Sequence, residues 1–127
     1  MIKQNFVIIC ESAIIEKDTN NLYFLGIFEI IFVPREPALQ PKFAVATSFE
    51  GGSGEHNHRI VIRHEFGDEI VKLEGKINFG SNQKAQYIGK FIGLSFPKFG
   101  KYVIEIYVDN TLQPLTGSLN VIEKKQS

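Results

Sequence analysis

Three histidines and two glutamates crowd one short stretch of this chain: His56, His58 and His64, with Glu55 and Glu65 beside them. On an extended segment, residues two apart share a face. A His-x-His pair therefore sets both rings on one side, and His64 joins them if the strand is continuous. Imidazole nitrogens are common zinc ligands, so these three are the candidates for a metal centre. Ligands strung along a single strand lie too far apart for all to meet one ion, and nothing in the spacing supplies a fourth. The competing reading is a histidine pair at a loop end and one histidine at the edge of the core. No metal or other cofactor is expected.

Glu29 stands inside an apolar run and Glu11 interrupts another, so the two carboxylates could in principle do acid and base work. An unpaired buried carboxylate is costly. The expectation is that each marks a strand end, bulge or sheet edge and is paired with a Lys or Arg. Cys10 lies in an apolar run without a basic neighbour and reads as a small buried hydrophobe. Gly51, Gly52, Ser53 and Gly54 are not followed by Lys and Ser or Thr, so they form no phosphate-binding loop. Tyr87, Phe91, Phe96, Phe99, Tyr102 and Tyr107 could line a carbohydrate face, but the core also demands aromatics. No catalytic residue emerges, and a non-enzymatic protein is expected.

Fourteen basic and fourteen acidic residues cancel in a chain of 127. Without a net positive field, nucleic acid is a poor partner. The one cysteine removes any intramolecular disulfide and fits a reducing compartment. The apolar stretch at residues 6–10 is too short for a secretory core, and no run is long enough to cross a membrane, so the expectation is a cytoplasmic protein with no membrane partner.

The elements that must position these residues read as strands. Residues 22–33 are almost wholly β-branched, aromatic or leucine, and are expected to form one long strand buried on both sides, the centre of the sheet. Residues 6–10 and 13–15 precede it, joined to it by a polar hairpin loop at 17–21. Pro34, Pro37 and Pro41 mark a stiff connection suited to crossing between sheets. Residues 43–49 alternate large with small side chains, as in a strand with one face inward and the other under a close neighbour. The glycine-rich loop at 51–54 reads as a flexible tip. Further strands are expected at 59–66, 69–79, 87–96, 101–108 and 115–122, with Gly67-Asp68 and Asp109-Asn110 as two-residue turns. Tyr87, Gly89, Phe91 and Gly93 share a face, which predicts close approach of a second sheet there. A short disordered tail is expected near 124–127.

With about eight strands and no sustained helical period, the expected fold is all-β: a single antiparallel β-sandwich domain of immunoglobulin-like or related Greek-key topology. Gly100 and Tyr102 resemble the tyrosine corner of such sandwiches, with Ile104 where antibody domains carry a cysteine.

Several short motifs together resemble an uncharacterised family of small bacterial proteins, known as a domain of unknown function. They are Cys10, Glu11 and Ala13 to Ile15; Thr19 to Leu22; Gly26 to Glu29; Pro37, Ala38 and Pro41; Gly54 to His56; and Phe96, Pro97, Gly100 and Tyr102. The resemblance implies a bacterial, stand-alone β-sandwich and carries no activity with it. The function expected is binding of an unknown protein partner or self-association, through a sheet edge or through loops 34–41 and 51–58 with Arg35, Glu36, Gly51, Gly52 and His56. The alternative is a sandwich that binds a small ligand, carbohydrate or metal. Tyr102, Gly100 and Glu29 are the residues expected to be structural.

Overall fold

The computed structural model describes residues 1–125. Among these there is no helix, and ten strands follow one another. They are β1 (Lys3–Ile15), β2 (Leu22–Ile27), β3 (Ile30–Val33), β4 (Ala38–Glu50), β5 (Gly54–His64), β6 (Glu69–Phe79), β7 (Lys84–Phe96), β8 (Gly100–Val108), β9 (Thr111–Leu112) and β10 (Gly117–Glu123). One sheet has the order β2-β1-β4-β7; the other runs β3-β10-β8-β5-β6, with β9 paired to the end of β8. All pairs are antiparallel except β3 with β10, which is parallel. Phe43, Val45 and Phe49 of β4 face Ile60, Ile62, Ile104, Ile106 and Leu119 across one shared core. Burying each such side chain contributes about 1.5–3 kcal/mol.

Residues 22–33 do not form the buried central strand that their composition predicts. Gly26 turns the chain with φ +68°, Phe28 and Glu29 lie outside the strands, and the segment changes sheets there. Both halves become edge strands, β2 beside β1 and β3 beside β10. Leu25 is 62 % exposed and Phe32 59 % exposed. The composition misleads because each half has one apolar face packed inward and a second that is simply left open. The buried centres are β4 in one sheet and β8 with β5 in the other.

The β1–β2 hairpin folds back on its own sheet. Pairing joins Cys10 to Ile27 and Ser12 to Leu25 but skips Glu11 and Gly26 between them. The Glu11 side chain occupies the place a Cβ on Gly26 would need, with its Cδ 2.7 Å from that point. Phe6 and Ala13 would stand about 23 Å apart on a straight strand. Yet Phe24, the cross-strand partner of Ala13, holds its ring 5.9 Å from that of Phe6, edge to face. The distal hairpin is therefore an arm lying over the outer face of β1, β4 and β7. Beneath it Cys10, Ala44 and Ala46 are fully buried with Phe6, Ile8, Phe24 and Ile88 packed around them, a second small core. This is the close neighbour that the alternation of large and small residues in β4 anticipates.

Other expectations are met or corrected locally. The prolines do carry the chain from one sheet to the other, but Ala38 and Pro41 already belong to β4; pairing with β7 skips Pro41 opposite Gly93. Asp109 and Asn110 both have positive φ, 49° and 65°, as a two-residue turn between β8 and β9 requires. Gly67-Asp68 is not a two-residue turn: β5 stops at His64 and β6 begins at Glu69, the Gly67 N–H donates back to the His64 carbonyl (3.1 Å), and residues 65–68 form a wider loop. Gly89 does admit the second sheet, with Ile60 Cδ1 2.6 Å from where its Cβ would stand; Gly93, with φ +68°, faces open space. At the C-terminus the Lys124 N–H donates to the Val33 carbonyl (2.7 Å), which ties the start of the expected tail. Residues 126–127 of that tail lie outside the described residues.

Candidate functional site

The two segments read as interaction loops, 34–41 and 51–58, sit at opposite ends of β4, and they are loop only in part: residues 38–41 belong to β4 and residues 54–58 to β5. Each end of the fold gathers a different set of the singled-out residues.

At one end stands Tyr102, fully buried near the start of β8. Its hydroxyl donates to the Lys98 carbonyl (2.7 Å) and accepts from the Lys98 N–H (3.1 Å), closing the loop before the strand as a tyrosine corner does. Burial pushes its pKa up. His64 packs edge-on against the Tyr102 ring at 5.0 Å. Its Nε2 donates to the Phe99 carbonyl (3.0 Å) while Nδ1 accepts from the Phe66 N–H (3.2 Å), an arrangement that assigns the ring proton to Nε2. Gly100, with φ +122°, lies against this imidazole, whose Nε2 is 2.8 Å from the place of a Cβ. Glu36 accepts from the Phe99 N–H (2.7 Å) and so binds the proline-rich loop to the same corner. Arg35 is exposed and makes no hydrogen bond or ion pair among the described residues.

At the other end His56 bridges two loops. Its Nδ1 meets Asp109 Oδ2 at 2.5 Å and its Nε2 meets the Ser53 carbonyl at 2.8 Å. Both partners are acceptors, so the imidazolium, which donates from both nitrogens, is the form that fits. The Asp109 carboxylate and then the Ser53 carbonyl raise the His56 pKa, and His56 in turn holds Asp109 below the usual carboxylate range. Asp109 also accepts from the Asn57 N–H (2.9 Å). The glycine loop is pinned rather than free: Gly51 donates to the Gln83 carbonyl (2.9 Å), and the Phe79 ring fills the place of a side chain on Gly52.

His58 lies between these ends, inside the core and 1 % exposed. Its Nε2 is 3.1 Å from Thr47 Oγ1 on the facing sheet, and Tyr87 lies over the ring at 4.2 Å. Nδ1 has no partner among the described residues. Burial lowers its pKa to about 4. The three histidines thus occupy one strand face, as alternation predicts, yet each is spent on protein groups. Among the described residues no three His, Cys, Asp or Glu side chains converge.

Glu29 marks a strand end, as expected, but it is exposed and forms no ion pair among the described residues; its carbonyl accepts from the Asn120 N–H (2.8 Å). Glu11 is likewise exposed and serves to cover Gly26. Several polar contacts were not legible in the sequence. On the outer face of β5 and β8, Arg63 pairs with Glu105 (2.8 Å), Tyr107 donates to Glu105 (3.3 Å), and Arg59 lies over the Tyr107 ring while bonding Asn110 (2.8 Å). A cleft of about 250 Å³ opens beside Arg59, Glu74 and Asn110. The only hint of this ladder was that Arg63 and Glu65 fall on the strand face opposite Ile60 and Ile62.

The fold and these contacts define a small all-β domain of two facing sheets, its ends closed by a tyrosine corner and a histidine-aspartate bridge. The chain belongs to the family of unknown function DUF6941, whose model matches residues 5–121. No curated protein matches the chain. Among the described residues no helix is long and apolar enough to cross a membrane.

Proposed function

We propose that this chain is a non-enzymatic interaction module of the bacterial cytoplasm that receives an extended segment of a partner protein along its β2 and β3 edges. The observation that carries the reading is the contrast between edges. β6 presents Glu69, Lys72, Glu74 and Lys76, and β7 presents Lys84 and Lys90, whereas β2 and β3 contain no charged residue. Charges on an edge strand discourage pairing with another chain. An edge left apolar and uncharged, with Tyr23, Leu25, Ile27, Ile30 and Phe32 exposed along it, suits strand addition, where backbone groups give affinity and alternate side chains give selectivity.

The framework that carries this edge reads as an immunoglobulin-like sandwich. The orders β1-β4-β7 and β6-β5-β8-β10, the parallel β3 beside β10, and Tyr102 at the start of β8 support that topology.

Leu25→Lys and Phe32→Lys place charge on the open edge without touching the core. Light scattering and affinity capture from the host lysate are expected to show a defined oligomer or a stoichiometric partner for the wild type. Either variant should abolish it at an unchanged urea midpoint. A wild-type monomer that captures nothing, or capture indifferent to both substitutions, refutes the reading.

A further inference from the structure

Folding the β1–β2 arm back over its sheet has a second consequence at the arm's tip. Thr19, Asn20 and Asn21 come to face the turn between β6 and β7, and the two enclose a cleft of about 590 Å³. That volume is in the range of small-ligand sites, about 300–1,000 Å³. Its polar lining is unusual in kind: Asn20, Asn21, Asn78, Asn82 and Gln86 supply five carboxamides, Lys84 is the sole charge, and no carboxylate takes part.

The walls are built by backbone, which leaves the amides free. The Asn20 N–H donates to the Glu16 carbonyl (2.8 Å) and the Glu16 N–H to the Asn21 carbonyl (2.9 Å), closing the arm's tip on itself. Across the cleft the Gln83 N–H donates to the Gly80 carbonyl (2.9 Å), and the Lys84 N–H donates to Asn82 Oδ1 (3.1 Å). Asn82 is thereby committed. The side-chain carboxamides of Asn20, Asn21, Asn78 and Gln86 make no hydrogen bond among the described residues.

A carboxamide offers an acceptor and two donors in one plane, without charge. It matches a pair of neighbouring hydroxyls, each of which must both donate and accept. A cation finds no carboxylate here, and an anion finds only one ammonium group. Ile15 and Leu22, which also line the cleft, provide an apolar wall for the C–H face that a sugar ring presents. We propose that this cleft binds a neutral saccharide, held by the carboxamides of Asn20, Asn21, Asn78 and Gln86 between the arm and the β6–β7 turn. Leu22, the first residue of β2, is the one residue the cleft shares with the β2 and β3 edges proposed for protein contact; the exposed side chains at 23–32 lie outside it, and either proposal can fail without the other.

The test is a titration of the nitrogen-labelled protein with maltose, cellobiose and diacetylchitobiose, each to about 20 mM, following side-chain amide signals by NMR; a dissociation constant of about 1 mM or below is then readily seen. Saturable shifts with at least one sugar, centred on the Asn20, Asn21, Asn78 and Gln86 amides, are expected. The double substitution Asn78→Ala with Gln86→Ala should weaken that binding about tenfold or more. No saturable shift with any of the three sugars, shifts centred elsewhere, or affinity unchanged in a folded double variant overturns the proposal. Should the variant fail to fold, the wild-type shift map alone decides.

Discussion

Phe24 stands edge to face with Phe6, ring centroids 5.9 Å apart, although the two belong to parts of one hairpin that a straight β1 would hold far from each other. The contact locks the arm over Cys10, Ala44 and Ala46. Phe24→Ala should cost about 2 kcal/mol, less than for a fully buried phenylalanine because Phe24 is only half-buried. Cys10 gives a local readout: it is fully buried and burial raises its thiol pKa, so wild type should react slowly with a maleimide. In the variant, opening of the arm should speed labelling about tenfold or more at concentrations of denaturant too low for global unfolding. Equal rates would show that the arm does not cover the thiol.

The corner around Tyr102 separates two kinds of cost. Tyr102→Phe removes a hydroxyl that both donates to and accepts from Lys98, and should lower stability in urea unfolding by about 1–2 kcal/mol. Gly100→Ala meets a positive φ and the His64 ring together, and should cost about 2 kcal/mol or more. An alanine variant as stable as wild type would remove the steric account.

Two histidines give opposite pH dependences. His58 has its pKa lowered to about 4 in the fold, against an ordinary value of 6.5. Between those values the unfolded chain binds the extra proton, so stability should fall as pH drops through this window, by as much as about 3 kcal/mol. His56 is shifted upward by Asp109, so its contribution is complete below about pH 6.5 and is lost as pH rises through its higher folded pKa. Urea midpoints measured across pH should lose the acid-side slope in His58→Phe and the slope above pH 6.5 in His56→Gln. Slopes unchanged in either variant would mean that histidine does not control its window.

Glu29→Gln should leave stability within about 0.5 kcal/mol of wild type, because the carboxylate is exposed and the strand switch depends on the Glu29 backbone carbonyl instead. A larger loss in thermal or urea unfolding would require a partner for the side chain in solution.

The sequence by itself determined the β-rich character, the strands from β4 onward apart from β9 and the first residues of β5, the turn at Asp109-Asn110 and the corner at Tyr102. Each rests on side-chain alternation or on contacts within a few residues; Tyr102 and Lys98 are four apart. Tertiary structure decided the fate of residues 22–33, since an apolar segment carries no record of whether its second face is covered or left open. It also decided the bridge between His56 and Asp109, 53 residues apart, and the meeting of Asn20 with Asn78 across the cleft. Such pairs leave no local pattern because each partner is an ordinary polar loop or edge residue until the sheets assemble and the arm folds over them.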